Sequence, residues 1–443
     1  MGYFKWLSRP SSVARDEQFV NYLLKNGISE FFSVPIEGNK ADYYMDRDNF
    51  LSVLKIIGKR VVQDWKKHLS DYKKTKENLI TAAEDLAKAV NEKKPHKDLW
   101  EKYEGFILRV EELGDYLFFP FAIEEFYEEE IRKKFPLDFE IITSLGKPTK
   151  YHLFELSLIE DSAEDTWRKF SWLNVYSLLE KPYTKENIVK LKSKVDPKEI
   201  KEKLKQIIRN EKKFESFIKK VKDEKDIALC KLAHEHAFIR TDRVDAFKYS
   251  LLKIKPLFEY VAKLIKQDLL AAVEIYQDEI EDILLENKFP SANEMKLREQ
   301  KQGIFYYSLN DKHFIYKAKE VEDTLKKLKK ITTSTDLLKG VVASKGIVEG
   351  KVRLIKTDND ISLFKEGEIL VAFSTEPKHT PVMKKSSAII TEEGGITSHA
   401  AIMSRELNKP CIIGVKNITE ILKTGDYVKV DGENGIINIL KSA

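Results

Sequence analysis

Between Gly58 and Gly340 this chain contains only four glycines, Gly105, Gly114, Gly146 and Gly303. Glycine supplies the left-handed backbone that sharp reversals depend on, so a stretch this poor in it can make few of them. Long helices with charged outer faces are the simplest way to fold it. The apolar spacing agrees. Leu54, Ile57, Val61, Trp65 and Leu69 recur every three or four residues, and the pattern resumes at Leu79, Ala83, Leu86 and Val90. A second stripe runs through Leu257, Val261, Leu264, Val273, Tyr276, Ile280 and Ile283, and Pro256 is expected to start or kink its helix. Residues 139–158 are less periodic, and a loop or short hairpin is expected there.

The pattern changes after ITTSTDLLKG, residues 331–340. Glycines become frequent and short apolar runs replace the long stripes. GKVRLIK, EILVAFS, AIIT, CIIG, YVKVDG and GIINIL each read as a strand. Two helical candidates, PVMKKSS and SHAAIMSREL, lie between them, and GENG marks a turn before the last strand. The expected architecture is therefore multidomain α and α/β. A mainly helical domain spans 1–332, a linker or hinge 333–340, and a compact C-terminal α/β domain 341–443.

Composition narrows the function. The net charge of +5 is small beside 77 basic and 72 acidic residues, and it reads as solvated helix faces rather than a nucleic-acid footprint. Two cysteines, Cys230 and Cys411, fit a reducing compartment and argue against a disulfide framework. The N-terminal sequence has no apolar run suited to a signal peptide, and no stretch approaches a membrane span. The expectation is a cytoplasmic protein that binds neither nucleic acid nor membrane.

The stretch TEEGGITSHAAIMSRELNKPCIIG, residues 391–414, carries chemistry that a plain core helix does not need. A strand ends at Thr391, and Thr397 or Ser398 then occupies the N-cap position of a helix whose first turn holds His399. First-turn amides have no intrahelical partners, and with the helix dipole they favour an anion, phosphate above all. Gly394 and Gly395 let backbone approach a bulky anion, while Thr397 and Ser398 offer hydroxyl donors. Neutral imidazole is a nucleophile near physiological pH, and the positive helix end disfavours its protonated form. A phosphoryl group accepted by His399 would be stabilised by that same helix end. The plainer alternative is a histidine that only caps or packs.

This stretch resembles the phosphohistidine (swivelling) domain of phosphoenolpyruvate-utilising enzymes, as in phosphoenolpyruvate synthase, pyruvate phosphate dikinase, enzyme I of the sugar phosphotransferase system and rifampicin phosphotransferase. GVVASKGIVEGKVRLI is similar to the domain's opening strands, FSTEPKHTPVMKKSSAIIT to its threonine–proline loop and helix, and VDGENGIINIL to its closing strands. The chain departs at Lys345, where many members have proline, and at Cys411, often alanine. The resemblance implies a swivelling β/β/α fold, with His399 as the phosphorylated residue and Gly394, Gly395 and Thr397 around the phosphate. Thr375 matches the family's loop threonine and Arg405 a family arginine. Arg405 lies six residues past His399, about 600° around the helix, so docking or ion pairing with Glu393 or Glu406 is expected instead of direct ligation.

Donor and acceptor sites are harder to place. The chain shows no GxxxxGK[ST] or GxGxxG loop and nothing resembling an ATP-grasp domain. ATP or phosphoenolpyruvate, with Mg2+ to neutralise phosphate charge, is therefore expected on a separate ATP-grasp nucleotide-binding protein. The split phenylphosphate synthase of the family is a precedent. A third possibility is direct use of phosphoenolpyruvate at an unrecognised site in residues 1–330. For a small-molecule acceptor, Arg240, Arg243 and His236 are candidates in the helical region. Arg240 and Arg243 at i,i+3 could clamp a phosphate, although such residues commonly form ion pairs. His234 and His236 diverge by about 200° on a helix and do not suit one metal. The expected function is a phosphotransferase component that is not self-sufficient. The rival is a regulatory scaffold with a vestigial phosphohistidine domain, which the intact GGITSHAA stretch argues against.

Overall fold

The computed structural model describes residues 3–10, 12–36, 40–329, 338–395 and 398–443. The chain is a multidomain α and α/β protein that divides into two compact units. One comprises Pro10–Pro35 and Asp48–Glu322; the other comprises Met1–Arg9, Ile36–Arg47 and Asp323–Ala443. Among the described residues no helix is long and apolar enough to cross a membrane.

The larger unit is built around the helix Glu224–Leu264, which packs along Trp65–Asn91. Asp223 caps its start by accepting a bond from the Asp226 amide at 3.0 Å. Leu79, Ala83 and Leu86 from one helix meet Leu251, Ile254, Leu257, Phe258 and Val261 from the other in a continuous core. The periodic residues named above thus face inward, as their spacing requires.

One expectation is corrected here and two are narrowed. Of the two roles expected of Pro256, it does not start the helix but lies inside its 41 residues. The second apolar stripe is also not one helix: the long helix stops at Leu264, Lys266 takes a left-handed φ of 55°, and Leu269–Ala272 and Gln277–Glu281 follow as short helices. Of the loop or short hairpin expected over residues 139–158, the structure holds the loop, at residues 144–149. The rest of this stretch is the helix Phe139–Thr143 and most of Lys150–Glu160, whose Thr149 cap engages the His152 ring. A hairpin occurs elsewhere in the region expected to be helical. Among the first strands of the chain, β1 (Tyr3–Pro10), β2 (Glu30–Ile36) and β3 (Lys40–Asp46), β2 pairs antiparallel with β4 (Ile304–Ser308), and β4 pairs with β5 (Lys312–Ile315).

The smaller unit contains an eight-stranded sheet. Its strands are β6 (Leu338–Lys339), β7 (Val341–Ser344), β8 (Ile347–Ile355), β9 (Ile369–Ala372), β10 (Ala388–Thr391), β11 (Cys411–Ile413), β12 (Tyr427–Asp431) and β13 (Ile436–Lys441). The order is β6-β13-β12-β8-β9-β10-β11-β7. The centre, β8 to β11, is parallel, and antiparallel strands flank it. Every residue of β9 and β10 is buried, because both faces of the sheet are covered. Leu370, Ala372 and Ile389 join one core with Ala400, Ala401 and Met383; Ile369, Val371, Ala388 and Ile390 join another with Ile418, Val428 and Val430. This alternation is the period-two signature of strands. Of the expected linker, residues 333–337 lie outside the described residues, while Leu338 and Lys339 pair with β13 and the Gly340 amide donates to the Gly435 carbonyl at 2.9 Å.

Candidate active site

β9 and β10 run parallel and in register, with Ala372 opposite Thr391. Their carboxyl ends therefore finish side by side. Ligand sites of open parallel sheets gather at such ends, where consecutive loops leave the sheet together. The loop after β9 carries Phe373, Ser374 and Thr375, and the loop after β10 carries Glu392 to Gly395. Two backbone bonds hold the loops together: Glu392 N donates to Ala372 O at 3.1 Å and Glu393 N to Phe373 O at 2.7 Å.

The second loop leads into the helix His399–Glu406. Ser398 is its N-cap, with extended backbone and a hydroxyl that accepts from the Ala401 amide at 3.3 Å. His399 is the first helical residue. The Thr375 hydroxyl lies 2.9 Å from His399 Nδ1. Thr375 is buried, so this hydrogen bond is shielded from water and orients the ring. Gly394 has a φ of +129°, which side-chain-bearing residues rarely adopt, and a Cβ there would sit 2.9 Å from Ser398 Oγ. Gly395 accepts a backbone bond from the Ser398 amide at 2.8 Å, closing the turn into the helix. Small buried residues on the inner face, Ala400, Ala401 and Ser404, let this helix lie close on the sheet.

The loops thus bring together His399, Thr375, Ser398, Gly394, Gly395 and Glu393, the last through its backbone. Thr397 lies outside the described residues. Arg405 sits in the last turn, half-buried, where its charge lowers the Cys411 thiol slightly against the burial that pushes it up to about 12. Burial also pushes the Cys230 thiol up to about 12, so neither cysteine is poised as a nucleophile.

The acceptor candidates lie in the larger unit, and the structure does not assemble them into one clamp. Arg240 forms a largely buried ion pair with Glu124 and stacks over Phe121. His236 is fully buried, its Nε2 2.9 Å from His68 Nε2, and both rings pack on Phe119. His234 turns the other way, towards the Glu211 carboxylate at 3.1 Å and the Ile142 carbonyl at 3.2 Å. Arg243, singled out with Asp242 in the sequence, is buried in the same stretch as Asp245 and Lys248, which were not. Tyr72 and Lys76 bind Asp242 at 2.9 and 2.6 Å. Lys248 lies 3.5 Å from Asp245 and 3.7 Å from the Tyr176 ring centre. The sequence signal for this stretch was the run DRVDAFK, charged residues on a helix face that packs inward. Among the described residues no group of three or more His, Cys, Asp or Glu converges to hold a metal ion.

The fold and the histidine loop together define a class. Residues 364–435 match the family described as PEP-utilising enzyme, mobile domain. The chain's relatives are larger proteins. The chain is 47% identical over 123 residues to the phosphoenolpyruvate synthase of Pyrococcus furiosus, covering 27% of this chain and 15% of that one. It is 52% identical over 101 residues to a probable phosphoenolpyruvate synthase of Archaeoglobus fulgidus, covering 23% and 13%. It is 33% identical over 174 residues to the uncharacterized phosphotransferase YvkC of Bacillus subtilis, covering 38% and 20%. These matches span a fifth or less of the relatives' length. Among solved structures, aconitase X of Thermococcus kodakaraensis aligns with 24% of this chain and 99% of its own at 24% identity and a TM-score of 0.20. An enzyme I structure aligns with 84% and 79% at 14% identity and a TM-score of 0.19. Likenesses at these scores bear on neither fold nor function.

Proposed function

We propose that this chain is a phosphotransferase component in which His399 carries a phosphoryl group between two sites. The observation that carries the reading is the Thr375–His399 contact at the start of a capped helix. With Nδ1–H donating to the Thr375 oxygen, the nucleophilic lone pair is on Nε2. Nε2 attacks the donor phosphorus, the Nε2–P bond forms, and the bond to the donor's leaving oxygen breaks. The helix N-terminus favours the negative charge that arrives. Transfer onward reverses the roles: the acceptor oxygen bonds to phosphorus and the neutral ring leaves with its Nδ1–H intact.

The donor is ATP or phosphoenolpyruvate, and we place its binding and its Mg2+ on a separate ATP-grasp protein. The acceptor is a small molecule bound by the helical unit. Arg240 is engaged with Glu124, His236 with His68 and Asp242 with Tyr72 and Lys76, and we place the acceptor near Arg243, where buried charges gather. Burying several charges is costly unless geometry compensates, and binding sites are where such arrangements concentrate.

Intact-protein mass measurement at neutral to alkaline pH tests this, because phosphohistidine is acid-labile. Wild type and His399→Ala are incubated with ATP and Mg2+ or with phosphoenolpyruvate, with and without lysate of the source cells. A one-phosphoryl, acid-labile gain in wild type alone, dependent on lysate, is expected. No gain with any donor would overturn the reading in favour of a scaffold.

A further inference from the structure

The family match begins at residue 364, yet the compact unit that holds it also contains Met1–Arg9 and Ile36–Arg47. β1 and β3 are neighbouring strands. Their side chains reach the loops beside His399. The Lys5 ammonium on β1 lies 4.6 Å from the centre of the Phe373 ring and 3.7 Å from Glu392 Oε1. Both ends of that ion pair are largely buried, at 16% and 9% exposure. Phe373 is two residues before Thr375, which holds the histidine; Glu392 is two residues before Gly394. The Glu392 carboxylate also receives the Thr419 amide at 3.0 Å and the Thr419 hydroxyl. Tyr44 on β3 registers the negative charges of Glu392 and Glu420, which, after burial and Asp42, hold its hydroxyl well above the usual range.

We propose that Lys5, from the opposite end of the chain, is a positioning residue for the His399 site. It bridges the loop that bears Thr375 and the loop that bears Gly394, gripping one through an aromatic face and the other through a carboxylate. The two loops leave parallel strands and are joined by main-chain bonds at their bases. A cation spanning them limits how far Thr375 can move from His399. Lys5 reaches the site through its ion pair with Glu392 and its contact with the Phe373 ring. This inference rests on the phosphohistidine reading for its consequence, but the contact itself does not.

The test uses the full-length protein and a donor that needs no partner. Phosphoramidate phosphorylates imidazole as its P–N bond breaks and ammonia leaves. Wild type, Lys5→Met, Lys5→Arg, Glu392→Gln and the Lys5→Met/Glu392→Gln double variant are compared, with His399→Ala as blank. Three readouts are taken: the rate of acid-labile mass gain, the 15N chemical shift of His399 Nδ1, and the melting temperature. Lys5→Met is expected to slow the gain on the order of ten- to a hundredfold, the usual result of loosening a site by an ångström or less. Lys5→Arg restores most of the rate, and the double variant is no slower than the slower single, since both act on one contact. The Nδ1 shift moves in Lys5→Met and returns in Lys5→Arg. A wild-type rate and an unmoved Nδ1 signal in Lys5→Met would overturn the proposal, as would a rate loss that follows melting temperature across all variants without rescue by arginine. If wild type takes up no phosphoryl group, the phosphohistidine reading fails separately, and the Nδ1 shift alone decides the role of Lys5.

Discussion

Thr375 and His399, 24 residues apart in sequence, meet at 2.9 Å because β9 and β10 end side by side. The hydroxyl and Nδ1 are within hydrogen-bond distance, and in the proposed reading Nδ1–H donates to the Thr375 oxygen and leaves Nε2 as the nucleophile. Thr375→Val keeps the shape and deletes the hydroxyl. Phosphorylation by phosphoramidate is expected to slow roughly tenfold, the value of about one buried hydrogen bond in a transition state. Stability is expected to change by about 1 kcal/mol or less in chemical denaturation. The 15N spectrum should show a mixture of His399 tautomers in place of one.

Gly394→Ala carries a larger structural cost. The residue sits at φ +129°, and its new Cβ would press within 2.9 Å of the Ser398 hydroxyl that caps the helix. Loss of about 1–3 kcal/mol is expected from the strained backbone. Phosphate capture should fall with it, because the same movement displaces the helix start. Urea titration together with the phosphorylation rate checks both; an unchanged midpoint would show that the turn adapts.

The buried imidazoles of the helical unit set one pH limit. Burial pushes His68 down to about 4, and burial with the neighbouring His68 and Arg243 charges lowers His236 well below its ordinary value. In the unfolded chain both titrate near 6.5. Between about 4 and 6.5 the unfolded state binds more protons, so stability is full above 6.5 and is lost as pH falls through that window. His236→Gln should flatten this slope in urea titrations at pH 4.5, 5.5 and 6.5, whatever it does to absolute stability.

Glu274 acts with the opposite sign. It is fully buried beside Lys301, and burial outweighs that partner and raises the carboxyl to about 7. The folded state therefore holds a proton that the unfolded chain releases near 4.5. This stabilisation is complete below about 4.5 and is lost as pH rises through 7. Glu274→Gln should remove the decline between pH 5 and 7.5, leaving the histidine slope below it. A wild-type slope retained in the variant would place the titration elsewhere, with the similarly raised Glu17 as the next candidate.

What the sequence determined by itself was local. Short apolar runs bounded by glycine specified the strands β8 to β13, because alternation and turn residues act over a few positions. GGITSH marked its own chemistry, because a cap, two glycines and a first-turn histidine are neighbours along the chain. Helix periodicity located the core of the larger unit but not its ends: Lys266 takes a left-handed φ and Pro256 lies inside a helix. The contacts that shape the sites were decided only by tertiary structure. Strand register sets Thr375 against His399, helix packing presses His68 onto His236 across 168 positions, and an N-terminal strand carries Lys5 to Glu392. No local pattern encodes such pairings, since each depends on the folded path of the chain between its two partners.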